Sequence, residues 1–402
     1  MKKQPRRRFL KVFLALAGAV CAAAQAETVP ADFLSPETTA AARLPYTENT
    51  DAAAAVMRKA ERKEPVTIAV IGGSITEGTV TRGGRDSEAG SRKPYAEHFF
   101  GWWRETFPDT EFRFINAGIG ATDSYLGVHR VQRDVLAYKP DLVLVEYSVN
   151  DENGMPAKVT YDNLARRILQ DEAHPALMLL FMAQTNGASA QPAHAAVGKH
   201  YGLPAVSYRN AMEQLMSAGT YTAADLSGDE VHPSALGHRI VGELLRNRLD
   251  EIYAGRENAA EPEAFDQPPA TKEAYRNARI ADSAGFTPDE TGTFEAKNVF
   301  SRFPNGWQSA GGKGGFAFTD TFASLGILWL RQTNGKCGRA EVYVDGIRKA
   351  ALDGDFTGGW GDYAAAKEVY SSREPAEHRV EIVMQEGDED KLFTLLSLLM
   401  SD

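Results

Sequence analysis

Residues 66–76 read VTIAVIGGSIT, and this run decides the fold. Its β-branched and apolar residues fit a central strand buried on both faces, and Gly72 and Gly73 let the chain turn sharply where the strand ends. Ser74 sits on that turn. Outward from it, a polar, Gly-rich loop (residues 76–93) leads to an aromatic-rich helix at 94–107, a strand at 112–116 and a helical stretch at 124–138. A second buried strand, DLVLVEYSV, occupies 141–149. It is followed by a helix at 161–170, a strand at 176–184, a helix at 192–201, a short strand at 204–207 and a helix at 233–253. Strand and helix alternate, which predicts a parallel sheet with helices on both faces, a three-layer α/β sandwich over residues 63–255. Upstream, residues 27–62 read as an extension carrying one helix at 51–62, capped by Thr50 or Asp51.

Downstream the pattern changes. Residues 256–275 are acidic and Pro-rich with no apolar periodicity, which predicts a linker. Beyond it come alternating runs, GFAFTDTF, SLGILWLRQ, RAEVYVDG, HRVEIVMQ and LFTLLSLLM, separated by Gly- and Asp-containing turns, so residues 276–402 are expected to form a β-sandwich domain. A chain of 402 residues accommodates two such cores. At the other end, Lys2, Lys3, Arg6, Arg7 and Arg8 precede an apolar stretch and then Ala24-Gln25-Ala26, the layout of an export signal over residues 1–26. The run Arg6-Arg7-Arg8-Phe9-Leu10-Lys11 resembles the twin-arginine pattern, with Pro5 where that pattern has Ser or Thr; an ordinary Sec signal is the alternative. Either route makes the protein periplasmic or secreted, with no integral membrane segment after signal removal. A formal net charge of −10 without a basic stripe argues against nucleic acid as a partner. Of the two cysteines, Cys21 lies in the signal and Cys337 stands alone, so neither an internal disulfide nor a Cys-based metal site is expected.

Four separated segments carry chemistry. Gly72-Gly73-Ser74 ends the first strand, Asn116-Ala117-Gly118-Ile119-Gly120-Ala121-Thr122 follows the second, Ser148-Val149-Asn150-Asp151 follows the third, and Asp229-Glu230-Val231-His232-Pro233 precedes the last helix of the domain. Singly, Ser74 reads more readily as a turn residue or a helix cap, Asn150 as a loop amide bonding its own backbone and Asp229 as a turn former. Together they stand at the strand-end edge where open α/β sheets place their ligand crevice. A serine hydroxyl needs a base, for which His232 is the candidate, and Asp229 is placed to orient it.

In this order the four segments resemble the SGNH (GDSL-like) hydrolases, in the branch that has GGSIT; the Tyr95/Trp102/Trp103 helix, VEYSVND and HPSALGH fit that branch too. The resemblance covers about residues 63–255. It implies a flavodoxin-like fold and an ester hydrolase with Ser74, Asp229 and His232 as catalytic residues, needing no metal and no cofactor. The oxyanion hole it implies comprises the Ser74 N–H, the Asn150 side chain and a backbone N–H at the position where the family commonly has glycine. Here that position is Ala121, a donor if its φ is negative, with Gly120 the fallback. His238, inside the last helix, and Asp225 are the rival base and orienting acid; Glu146 and Asp151 are expected to be structural.

An exported domain of this kind followed by a β-domain looks like bacterial carbohydrate esterases, which implies an acylated glycan or small molecule as substrate and removal of acetyl groups as the reaction. A lipolytic esterase or lysophospholipase and a non-catalytic glycan-binding protein are the alternatives. Trp307, Trp329 and Trp360 with Tyr363 are candidates for stacking on sugars, Trp329 being expected in the core, and residues 76–93 with the Tyr125 region are expected to line the substrate site. The sequence does not set the oligomeric state.

Overall fold

The computed structural model describes residues 33–402; the expected export signal at 1–26 lies outside the described residues. Five parallel strands, β1 (Val66–Gly72), β2 (Phe112–Gly118), β3 (Leu142–Glu146), β4 (Ala176–Phe181) and β5 (Ala205–Ser207), form one sheet in the order β2-β1-β3-β4-β5. The apolar runs of β1, β3 and β4 follow from burial on both faces, whereas the edge strand β2, FRFINAG, is only partly buried. Ala69, Ile71, Val143, Val145, Leu177 and Leu179 enter one core, with residues of the helices Ser124–Asp134, Met155–Leu169 and Gln191–Tyr201. At the intervening positions Ile68, Val70, Leu142, Leu144, Met178 and Leu180 are equally buried. The helices Asp51–Glu61 and Tyr95–Thr106 pack on the long helix Ala235–Gly255 in the other layer. Fully burying each such aliphatic side chain contributes about 1.5–3 kcal/mol.

Register fixes what this sheet presents at its edge. Gly72 pairs with Gly118 on β2 and with Glu146 on β3, so the loops after β1, β2 and β3 leave the sheet side by side. Small differences from the expected elements have local causes. The helix expected at 161–170 begins at Met155, because Pro156 in its first turn is compatible with a helix start. A helix at Tyr208–Ser217 follows β5 without a loop; Ser207 ends the strand and caps the helix by accepting from the Asn210 N–H.

The segment expected as a linker is a strap pinned to the α/β domain. The Ala270 N–H donates to the Tyr201 hydroxyl at 3.0 Å, the Thr271 N–H to Asp162 at 2.7 Å, and the Tyr275 N–H to Asn163 at 3.0 Å. Composition reports how such a segment is solvated, not whether its backbone finds partners on a neighbouring helix.

The C-terminal domain is an antiparallel sheet of eight strands: β6 (Arg279–Ala281), β7 (Phe294–Lys297), β8 (Gly306–Ser309), β9 (Phe316–Arg331), β10 (Arg339–Val344), β11 (Ile347–Asp353), β12 (Tyr363–Met384) and β13 (Phe393–Ser401). The order is β11-β10-β12-β9-β13-β8-β7, with β6 on β13. Register shifts between Glu368 and Tyr370 and between Ser371 and Ala376 break the long β9/β12 ladder. Leu325, Ile327 and Trp329 face the core of this domain, whereas Leu328 and Leu330 share a second cluster with Ile119, Leu126 and Phe303. SLGILWLR is therefore apolar at every other position for one reason and at the alternate positions for another: its outer face covers the α/β domain. Among the described residues no helix is long and apolar enough to cross a membrane.

Candidate active site

The glycines around Ser74 are dictated by space. A Cβ on Gly72 would lie 2.2 Å from Thr76 Oγ1 and 2.4 Å from the Glu146 carbonyl oxygen, and one on Gly73 would lie 2.4 Å from Asn150 Oδ1. The strand can thus turn directly into the short helix Ser74–Glu77, whose first N–H groups have no intrahelical acceptor. The same measurement puts the Asn150 side chain against the residue before Ser74.

Ser74 Oγ lies 2.8 Å from His232 Nε2, and His232 Nδ1 lies 2.7 Å from Asp229 Oδ2. The other Asp229 oxygen accepts from the backbone N–H groups of Val231 at 3.0 Å and His232 at 2.7 Å. Burial pushes the Asp229 carboxyl up, but these hydrogen bonds outweigh it and hold the group below the usual carboxylate range. It stays ionised facing the imidazole. The loop carrying both residues is anchored in turn by Thr81 and Ser227, whose hydroxyls donate to the His232 carbonyl oxygen at 2.7 and 2.8 Å. A Cβ on Gly83 would lie 2.3 Å from the Asp225 carbonyl oxygen. The first part of the 76–93 loop thus braces the His232 loop.

The rivals have other partners. His238 is fully buried; its Nδ1 accepts from the Tyr95 N–H at 3.1 Å, which leaves Nε2 to donate to the Thr79 carbonyl oxygen at 2.9 Å. Burial lowers this imidazole to about 4. Asp225 closes a capping box with Thr222. Asp151 accepts from the Ser124 N–H at 2.8 Å and contacts His194 Nε2 at 2.8 Å, with the His194 ring stacked on Tyr161 at 3.7 Å between centroids. It fastens the loop that carries Asn150. Glu146 accepts from the Ser148 N–H at 3.0 Å at the end of β3.

Burial raises the Glu146 carboxyl to about 7, against an ordinary value of 4.5. Its folded state holds a proton that the unfolded chain gives up, so stability is lost as pH rises between these two values. Chemical denaturation from pH 4.5 to 7.5 is expected to show this slope in the wild type, worth on the order of 3 kcal/mol, and a flatter profile in Glu146→Gln. Equal slopes would place the dependence elsewhere.

The loop after β2 departs from expectation. Ala121 has φ +59°, in the left-handed region, so the negative φ that would suit alanine is not what the loop adopts. The Gly120 N–H donates to Glu77 Oε2 at 2.7 Å, which removes the fallback donor. Left-handed backbone costs a non-glycine residue about 1–2 kcal/mol. Ala121→Gly is expected to raise the unfolding free energy by up to about 1 kcal/mol, since the more flexible unfolded glycine chain offsets part of the relief. A urea midpoint at or below that of the wild type would contradict the strain.

Two further expectations change. Tyr125 faces the β-domain instead of a substrate cleft: its ring stacks edge-on to Tyr275 at 5.8 Å, and a Cβ on Gly326 would meet its hydroxyl at 1.9 Å. Trp307 and Trp329 are buried, whereas Trp360 is 71% exposed and stacks on Tyr363 at 5.0 Å. Sequence reasoning passed over Glu77, three residues after Ser74 in the same motif, and Arg130. The Arg130 guanidinium is buried and donates to the carbonyl oxygens of Gly72 and Ala117 and to the Tyr147 hydroxyl, tying the ends of β1 and β2 together beneath Ser74.

Residues 70–240 match the GDSL-like Lipase/Acylhydrolase family. No curated protein matches the chain in sequence. Among solved structures, a two-domain esterase (CEX) active on acetylated mannans matches with 29% identity over 89% of this chain and 96% of its own, at TM-scores of 0.79 alone and 0.78 with mannopentaose. Axe2, an acetylxylan esterase from Geobacillus stearothermophilus, matches 46% of this chain and 94% of its own at 20% identity and a TM-score of 0.38.

Proposed function

We propose that this ester hydrolase, whose residues 70–240 belong to the GDSL-like lipase/acylhydrolases, is a carbohydrate esterase that removes acetyl groups from a polysaccharide outside the cytoplasm. The observation that carries the chemistry is the unbroken chain Ser74 Oγ, His232 Nε2, His232 Nδ1, Asp229 Oδ2, with contacts of 2.8 and 2.7 Å at the sheet edge. As Ser74 Oγ attacks the acetyl carbonyl carbon, its proton passes to His232, and the imidazolium formed is stabilised by Asp229. Collapse of the tetrahedral intermediate expels the sugar oxygen, which takes the proton from His232. Water then repeats the sequence on the acetyl-enzyme and releases acetate and Ser74.

The negative oxygen of each intermediate is assigned to the Ser74 N–H, the Asn150 side-chain amide and the Ala121 N–H. The Ala121 N–H stays in that set because the Gly120 N–H is taken by Glu77, although its φ of +59° is not the negative one expected of an alanine donor. Likeness across both domains to an esterase active on acetylated mannans makes acetylated mannan the first substrate to try. An exposed indole on Tyr363 adds an apolar face of the kind that stacks on sugar rings. The expected export signal would place the enzyme with such a polymer.

The test is acetate release from acetylated mannan and acetylated xylan, set beside hydrolysis of p-nitrophenyl acetate, butyrate and octanoate. Release from a glycan with a preference for the acetyl ester is expected. A maximum at octanoate with no acetate released from either glycan would replace this reading with a lipolytic one.

A further inference from the structure

We propose that Arg302, from the β-domain, is a positioning residue for the oxyanion loop of the hydrolase domain, acting through Glu77. The inference rests on the reading of Ser74 and residues 119–121 given above and extends it across the domain boundary. Glu77 lies three residues after Ser74, and its carboxylate is divided between two partners. One oxygen accepts the Gly120 N–H at 2.7 Å; the other pairs with the Arg302 guanidinium.

Gly120 is close to the chemistry. A Cβ on it would lie 3.1 Å from Glu77 Oε2 and 3.7 Å from Ser74 Cβ. The hydrogen bond from its N–H therefore sets the path of the backbone into Ala121. Residues around Arg302 grip the same loop: Phe303 is buried in one cluster with Ile119 and Leu126, and the Arg133 guanidinium lies 5.1 Å from the centre of its ring. Ile119 and Gly120 are thus held by Phe303 and, through Glu77, by Arg302.

Charge acts in the same direction. A carboxylate beside an oxyanion hole opposes the negative charge that develops there, and the opposition is strongest when nothing neutralises it. Arg302 supplies the neutralising charge and turns the carboxylate toward the Gly120 N–H. Because Arg302 is half exposed, water screens the pair and the effect is moderate.

The experiment uses the full chain with p-nitrophenyl acetate, too small to reach a glycan subsite, and acetylated mannan. Arg302→Gln is expected to lower kcat about fivefold to tenfold on both substrates, leaving KM within about twofold and Tm within a few degrees. Arg302→Lys should recover most of the loss. In a Glu77→Gln background, where no carboxylate needs neutralising, adding Arg302→Gln should change kcat by less than about twofold. An unchanged kcat in Arg302→Gln, or a rise confined to KM for mannan, would overturn the proposal, the latter by making Arg302 a direct contact to the glycan. A fall in kcat that Lys does not restore would mark a packing role only, and also overturn it. Ser74→Ala, run in parallel, separates this failure from failure of the underlying reading: activity surviving there removes the nucleophile itself.

Discussion

Ser74→Ala is expected to lower kcat on p-nitrophenyl acetate by at least about 10⁴-fold, with Tm unchanged to within a few degrees. The side chain is half-buried, and its hydroxyl is bonded to His232. Removing it strands no fully buried polar group, so folding is spared while the nucleophile is lost. His232→Ala should reach a similar floor, because neither group transfers an acyl unit without the other; a double variant no slower than either single one would show that they act as a unit. Asp229→Asn should fall less far, by about 10²- to 10⁴-fold. The upper end is the loss of a buried orienting acid, and the Asp229 side chain, 45% exposed, is partly screened. Burst kinetics with p-nitrophenyl acetate would check the covalent step: a burst in the wild type and none in Ser74→Ala. Substantial turnover in Ser74→Ala would remove the nucleophilic role altogether.

What the sequence discloses about this site follows from which of its parts are local. The strand VTIAVIGG, its exit at Ser74 and the Asp229/His232 spacing are short-range features, and the structure brings their side chains into one hydrogen-bonded line. The α/β alternation is legible because the central strands β1, β3 and β4 are apolar nearly throughout, a consequence of two covered faces. The loop after β2 is not. Ala121 lies at positive φ and the Gly120 N–H donates to Glu77, whose other oxygen pairs with Arg302 of the β-domain, and no local pattern in the sequence signals either feature. The placement of Tyr125 is hidden for the same reason, since Gly326 on β9 packs against its hydroxyl and periodicity carries no sign of that contact. The strap at 256–275 reads as solvated linker by composition, yet its backbone is bonded to Tyr201, Asp162 and Asn163. Long-range partners decide these positions.

Asn150→Ala is expected to lower kcat by about 10²- to 10³-fold with KM little changed, the signature of a donor that engages charge present only in the transition state. Two observations bring the Asn150 side chain close to Ser74 and support that role. Gly73 must lack a side chain because Asn150 Oδ1 occupies that space, so the Asn150 amide and the Ser74 N–H are set within one residue of each other. The loop beneath is fixed by Asp151, whose carboxylate is held between the Ser124 N–H and His194. Disturbing that support should act through Asn150: His194→Ala is expected to lower kcat in the same direction but to add little in an Asn150→Ala background. Asn150→Asp should be slower than Asn150→Ala, because a carboxylate keeps the shape of the amide while placing a second negative charge beside the oxyanion. A larger change in KM than in kcat for Asn150→Ala would mean that the amide binds the ester before reaction, and the hole would then rest on the Ser74 and Ala121 N–H groups alone.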